Sequence, residues 1–182
     1  MSNLRSNQID QYFQLDLPAQ ESTMFRYYEL EKNQLFKADN KEYVHLFFLL
    51  EGEIRIGGTK SMKSIVIPKE LFFISNNRFI CRSVKESAFI LFSINRFHYQ
   101  ANPIMYRDIL SVITELRDHY SPLTMPNILF MFAKILAGYM KDGINSEHLQ
   151  RLKQTELFMI LHSLYRKGRD NDIPMYGRLS LS

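Results

Sequence analysis

The strongest structural signal in this chain is an apolar run that one glycine interrupts and that then resumes as an alternating pattern. Residues 46–50 read Leu-Phe-Phe-Leu-Leu, Gly52 follows, and residues 53–58 read Glu-Ile-Arg-Ile-Gly-Gly. A continuous apolar run predicts a strand that is buried on both faces, and strict alternation predicts a strand with one face in water. The pattern therefore predicts two strands separated by a kink, with the glycine pair closing a tight hairpin.

Similar short strand patterns recur through the first half of the chain. They lie at about 24–37, 62–67, 71–75, 79–85 and 88–94 and are separated by polar turns of a few residues. Connections this short favour antiparallel pairing, because parallel strands need long crossovers. We therefore predict an antiparallel β-barrel over residues 23–98. Residues 1–22 are predicted to form an N-terminal arm, which is either flexible or added to the barrel as an edge strand.

The second half of the chain has the periodicity of three helices, over residues 102–166. The first helix carries an apolar stripe of Ile109, Val112, Ile113, Leu116 and Tyr120. The second begins at Pro126 and is apolar on nearly all sides, which predicts a central helix, with Gly143 just beyond its end. Residues 167–182 are polar and interrupted by Gly and Pro, which is typical of a linker.

The third predicted helix carries more apolar residues on one face than a solvated helix needs. The residues are Leu157, Ile160, Leu161 and Leu164. Their spacing of i, i+3, i+4 and i+7 places them on one stripe. Such a stripe either packs against its own domain or is buried by a two-fold partner, and the pattern leaves both possibilities open.

Composition limits the class of protein and its compartment. The net charge is +4, from 23 basic and 19 acidic residues, and it is too small and too scattered to indicate a nucleic-acid surface. The single cysteine, Cys81, lies in an apolar strand pattern, so a disulfide framework is not expected. The sequence shows neither a signal-peptide pattern at its N-terminus nor an apolar run long enough to span a membrane. These features predict a cytoplasmic protein without a membrane partner.

The sequence shows no recognisable catalytic or metal-binding motif. Its five histidines do not form HExxH or HxH spacing, and neither CxxC nor GxSxG occurs. The 14 phenylalanines and 9 methionines either fill the core or line a cavity for an apolar ligand. Arg82 is the odd member of its strand pattern, between Cys81 and Ser83, and either faces water or anchors an anion.

Two segments resemble the conserved strand pairs of cupin barrels. Residues 45–53, His-Leu-Phe-Phe-Leu-Leu-Glu-Gly-Glu, resemble the first pair, and residues 64–75 resemble the second. With the helices and residues 152–158, Leu-Lys-Gln-Thr-Glu-Leu-Phe, the region 35–180 resembles the N-terminal effector domain of AraC-type transcription regulators of the Bacteroides kind. The resemblance implies an α+β fold, a cupin-like antiparallel β-barrel followed by a three-helix C-terminal segment. It also implies that 167–182 is a linker towards a helix-turn-helix domain that this chain lacks.

The resemblance also assigns functional residues. The ligand positions of metal-dependent cupins fall here at Asp39, Lys41, His45 and Ile80. Because Lys and Ile are not ordinary metal ligands, the resemblance implies that no metal is bound. Inward-facing positions at His45 and Ile80 turn Phe47 and Arg82 inward by strand alternation, so an effector site of His45, Phe47, Ile80 and Arg82 is expected, with Arg82 as the anion partner.

The resemblance favours a sensing role over catalysis. AraC-like regulators commonly dimerise through the equivalent helices, which favours a homodimer interface of Leu157, Ile160, Leu161 and Leu164. The prediction is therefore a ligand-sensing and dimerisation domain that is not an enzyme, uses no cofactor, binds a small-molecule effector and contacts DNA only through a separate domain. The effector would shift the protein between two arrangements by its differential affinity for them. The alternatives are a cupin-type enzyme acting on a small metabolite and a stand-alone cupin-like interaction protein.

Overall fold

A computed structural model describes residues 12–14, 23–38, 43–58, 61–74, 79–95 and 122–170. Within these ranges the chain forms eight strands followed by two helices. The strands are β1 (Tyr12–Gln14), β2 (Thr23–Leu30), β3 (Leu35–Ala38), β4 (Tyr43–Gly58), β5 (Ser61–Val66), β6 (Glu70–Ile74), β7 (Phe79–Asn95) and β8 (Leu123–Thr124). The helices are α1 (Asn127–Lys141) and α2 (Glu147–Asp170).

All eight strands belong to one sheet that is built around the two longest, β4 and β7. β7 pairs with β2, β3 and β4, and β4 also pairs with β5 and β6. Among the described pairs only β1 with β3 is parallel, so the antiparallel prediction is confirmed for the rest. Residues 12–14 of the predicted arm thus form an edge strand, and the remainder of the arm lies outside the described residues.

The predicted kink is a glycine in a conformation that other residues avoid. Gly52 has φ +85°, and the β4–β7 register shifts on both sides of it. The strand continues through the kink, so the two predicted strands are one. Gly57 and Gly58 are strand residues paired with Met62 and Ser61, which corrects their predicted place in the hairpin turn.

Alternate residues of the same strands build two separate apolar cores. One face, with Phe48 and Phe92, packs against Leu129 and Phe132 of α1. The other core contains residues from β2 to β7 only. In this core the ring of Phe72 on β6 contacts that of Phe79 on β7, although these two strands are not neighbours in the sheet, so the sheet curves around the core as expected for a barrel interior.

The helical segment differs from the prediction in the number of helices described and in the burial of α1. The described residues contain two helices, not three, and the first predicted helix falls on residues that lie outside them. α1 begins after Pro126, whose carbonyl accepts hydrogen bonds from Leu129 and Phe130, and Gly143 follows α1 with φ +74°. Both boundaries are as predicted. α1 is not central, however, because only one of its apolar faces is buried.

Candidate functional site

The barrel interior holds two of the four predicted effector residues. His45 is 2% exposed, and its Nδ1 lies 2.8 Å from the Ser93 hydroxyl, in line with the β4–β7 register. Phe47 is completely buried between the rings of Phe72 and Phe89, at centroid distances of 4.5 and 4.1 Å. Both side chains point inward, as predicted.

Ile80 and Arg82 lie on the opposite face of β7 from the one predicted. Phe79 and Cys81 are buried in the barrel core, whereas Arg82 is exposed and Ile80 is half-buried. Strand alternation allows only one of these two sets to face inward. The resemblance placed position 80 in the interior, and the structure corrects that parity. The anchor role of Arg82 loses its geometric basis.

The four residues are also separated along the strand. On β7 the partner of His45 is Ser93, whereas Arg82 pairs with Arg55 and Leu35. His45 and Arg82 therefore lie near opposite ends of the β4–β7 ladder, and the described geometry does not bring the predicted set into one site.

Phenylalanine rings fill the described barrel interior. The set comprises Phe36, Phe47, Phe72, Phe79 and Phe89. Neighbouring rings contact at centroid distances such as 5.3 Å for Phe36 with Phe89 and 5.4 Å for Phe72 with Phe79. For these residues the structure supports the core interpretation over the cavity interpretation. Cys81 shares this core, and its burial raises the pKa of the thiol far above the ordinary value.

No cluster of three potential metal ligands occurs among the residues that the structure describes. Of the four positions implied by the resemblance, Asp39 and Lys41 lie outside those residues. His45 is beside a serine, and Ile80 carries no donor atom. The described geometry therefore provides no set of groups around which a metal centre can be argued.

A large concave surface lies between the two helices, on the side turned away from the sheet. We call it the helical groove; it has a volume of about 760 Å³. Its apolar lining comprises Ile128, Met131, Phe132 and Ile135 of α1 with Leu152, Met159, Ile160 and Leu164 of α2. Met159 is 67% exposed, Ile128 is 57% exposed and Leu152 is 55% exposed. Exposed apolar side chains grouped in this way are unusual on a monomer surface and are typical of interaction sites.

The predicted dimer stripe is divided between the core and the helical groove. Leu157 and Leu161 are almost completely buried within the chain, so a partner cannot reach them without displacement of α2. Ile160 and Leu164 are partly buried and line the groove. The stripe prediction is thus corrected for two of its four residues.

Sequence reasoning missed the most exposed groove residues. Ile128, Met131 and Ile135 follow i, i+3 and i+7 spacing, and Leu152 and Met159 are seven residues apart. That periodicity was a usable signal. It was obscured because α1 has a second apolar stripe, and local sequence cannot say which stripe meets the sheet.

A second cleft, of about 460 Å³, lies beside the Gly52 kink and is acidic. Its carboxylates are Glu29, Glu31, Glu51 and Glu86. The Tyr27 hydroxyl donates a 2.5 Å hydrogen bond to Glu29, and Lys141 Nζ lies 3.2 Å from the same carboxylate oxygen. The Tyr27 bond, followed by Lys141, holds the pKa of Glu29 below its ordinary value.

Several solved structures with local similarity to this chain carry the word cupin in their names. The RmlC-like cupin of Shewanella frigidimarina aligns at a TM-score of 0.36 with 12% identity, over 41% of this chain and 67% of that one. The cupin domain of Schizosaccharomyces pombe Cnp3 aligns at 0.39 with 10% identity, over 48% and 67%. The EutQ protein of Clostridium difficile aligns at 0.34 with 20% identity, over 40% and 52%.

The other comparisons add no family. No protein-family profile matches the chain, and no curated protein matches it in sequence. Within the described residues the architecture is a largely antiparallel eight-stranded sheet followed by two helices. None of the described helices is both long and apolar enough to cross a bilayer.

Proposed function

We propose that this chain is a non-enzymatic dimerisation and sensing domain of a cytoplasmic, AraC-like transcription regulator, and that two copies associate through the helical groove. The observation that carries the proposal is the groove itself, a set of exposed apolar side chains on two packed helices. A second copy of the chain is the occupant, because a two-fold axis would cover the same stripe on both protomers at once.

The energetics are consistent with a reversible dimer. Five groove side chains are about half exposed, namely Ile128, Met131, Ile135, Leu152 and Met159. Burying the exposed half of each contributes roughly 1 kcal/mol, so two copies gain about 10 kcal/mol. Association costs about 4–15 kcal/mol in lost rigid-body freedom. The two quantities are of similar size, so we expect a dimer that dissociates on dilution.

Met159 is the centre of the proposed interface. It has the largest exposed fraction of the apolar groove side chains, and methionine adapts to irregular apolar surfaces because it is unbranched and flexible. In the proposed dimer each Met159 packs into the groove of the other copy, between Ile135 and Leu152. Truncated or charged residues at this position would leave the interface without its main contact.

The sensing part of the proposal rests on the resemblance, and so does the assignment of DNA contact to a separate helix-turn-helix domain. Rings occupy the described interior, so an effector there would have to displace core side chains. Dimerisation is therefore the part of the proposed function that the geometry supports directly.

Sedimentation velocity tests the proposal. We expect the chain to sediment as a dimer at about 100 micromolar and to dissociate towards 1 micromolar, and Met159→Glu to be monomeric throughout with unchanged far-UV circular dichroism. Ile65→Glu is the matched control. Ile65 is also a large apolar residue, 52% exposed, but it lies on β5 outside the groove. A monomeric wild-type chain at about 100 micromolar, or equal dissociation by the control, would contradict the proposal.

A further inference from the structure

One glutamine joins the helices to the sheet through three polar contacts. The N–H of Phe25 donates to Gln150 Oε1 at 2.8 Å, and Gln150 Nε2 donates to the Phe25 carbonyl at 3.0 Å. The same Nε2 also donates to Asn145 Oδ1, in the turn between the helices. Both amide hydrogens and the amide oxygen of Gln150 are therefore used, which requires an amide rather than a carboxylate at this position.

These contacts lie on the outer edge of β2. β7 pairs with β2 along its inner edge, with Phe25 opposite Phe92. In an antiparallel pair the N–H and C=O of one residue point to the same side and alternate along the strand. Phe25 therefore presents both groups away from β7, and the Gln150 side chain takes the place that a neighbouring strand would occupy.

The spacing of backbone groups along β2 allows α2 to bind only at separate positions along the strand. The neighbouring residues of β2 that present both groups outward are Thr23 and Tyr27, each about 6.7 Å along the strand from Phe25. Lys141, the last residue of α1, forms an ion pair with Glu29, and its Nζ lies 5.0 Å from the centroid of the Tyr27 ring. The neighbouring outward-facing backbone groups lie a full step away, so α2 cannot slide along β2 by a small amount without losing the two bonds to Phe25.

The groove residues of α2 follow Gln150 on the same helix. Leu152 is two residues on, and Met159 is nine residues on. We infer that Gln150 is a positioning residue that sets the shape of the helical groove by fixing α2 to the backbone of Phe25. This inference rests on the proposed function for its biological meaning, since it connects the barrel edge to the surface through which two copies would associate.

Three measurements on Gln150→Glu test the inference. Glutamate has nearly the same shape as glutamine but donates neither hydrogen bond, and it opposes the Phe25 carbonyl with a charge. We expect the Phe25 amide to exchange with solvent about tenfold faster, the Met131 and Met159 methyl resonances to shift, and the dimer dissociation constant to rise about tenfold. Gln150→Asn keeps the amide but is one methylene too short to reach, so it should act in the same direction without adding charge.

His148→Glu is the matched control. His148 is exposed, lies in the same first turn of α2 and gains the same negative charge, so it should leave all three measurements unchanged. Unchanged Phe25 exchange, or unmoved Met131 and Met159 methyl resonances, in both Gln150 variants would overturn the inference. A monomeric wild-type chain would refute the proposed function alone, because the exchange and methyl measurements do not require a dimer.

Discussion

Replacement of Gly52 by alanine should be the most destabilising of three glycine-to-alanine changes, because two costs combine there. With φ +85° the backbone is in a region where a Cβ costs roughly 1–2 kcal/mol. A Cβ built at this position would lie 2.1 Å from the Glu86 carbonyl oxygen and 2.3 Å from the Ser87 hydroxyl. Neither the strand backbone nor the buried serine can move away without disturbing β7.

The steric cost can be estimated from what would shift. Relief of the contact costs about 1–3 kcal/mol of backbone displacement. It also disturbs Ser87, whose hydroxyl accepts from the Glu53 N–H at 3.1 Å and donates to the Lys85 carbonyl at 2.7 Å. Loss of one such bond adds about 1 kcal/mol. Alanine also restricts the unfolded chain, which offsets the cost by about 0.5 kcal/mol. We therefore expect Gly52→Ala to lower the free energy of unfolding by about 4 kcal/mol.

Two other glycines separate the contributions. Gly143 has φ +74° but nothing within 4 Å of a built Cβ, so Gly143→Ala should cost about 1 kcal/mol from strain alone. Gly138 lies inside α1 with open space around it, so Gly138→Ala should stabilise by up to about 1 kcal/mol. Urea unfolding, followed by far-UV circular dichroism at one protein concentration, gives all three free energies.

The order of the three changes in unfolding free energy tests the steric argument. If Gly52→Ala costs no more than Gly143→Ala, then the close approach of β4 to Glu86 and Ser87 is not rigid, and the steric argument is wrong. If Gly52→Ala does not fold, the comparison is repeated in the Gly138→Ala background, which should be more stable.

Two further predictions concern groups with shifted pKa values. Cys81 is completely buried and its thiol pKa is raised, so a disulfide-exchange reagent should label it only as fast as the chain unfolds; rapid labelling of the native chain would contradict its burial. Glu29 has a lowered pKa, so its ion pair stabilises the fold above the ordinary carboxyl pKa and is lost as pH falls through the folded value. The side chains of Glu29 and its partner Lys141 are both exposed, so Glu29→Gln should reduce the stability at pH 7 by less than about 1 kcal/mol. The variant should also lose less stability than the wild type as the pH falls. An unchanged dependence of stability on pH would show that the Glu29–Lys141 pair contributes nothing.

The elements that sequence reasoning predicted correctly have local signals. The kink at Gly52, the start of α1 after Pro126 and the end at Gly143 each depend on a residue whose backbone preferences act at that position. The antiparallel order follows from short connections. These features require no knowledge of what the segment packs against.

The candidate site was harder to predict because its determinants are not local. The alternation of Phe79, Cys81 and Arg82 was readable in the sequence, but the resemblance imposed the opposite parity on β7. The exposed face of α1 could not be chosen, because both stripes are apolar and only tertiary packing decides between them. The contact of Gln150 with Phe25 spans 125 positions of chain and leaves no periodic signal.

The position of β7 at the centre of the sheet also has a consequence for how the chain folds during synthesis. Among the described strand pairs, β2 and β3 have their antiparallel partners on β7, so Thr23 must wait for Ile94 before this pair can form. β4, β5 and β6 are consecutive and pair among themselves as soon as they leave the ribosome. We therefore expect the apolar side chains of β2 and β3, such as Phe25 and Phe36, to stay uncovered until β7 emerges. Sheets closed by such distant pairings fold slowly, and this interval is when the chain is most exposed to aggregation.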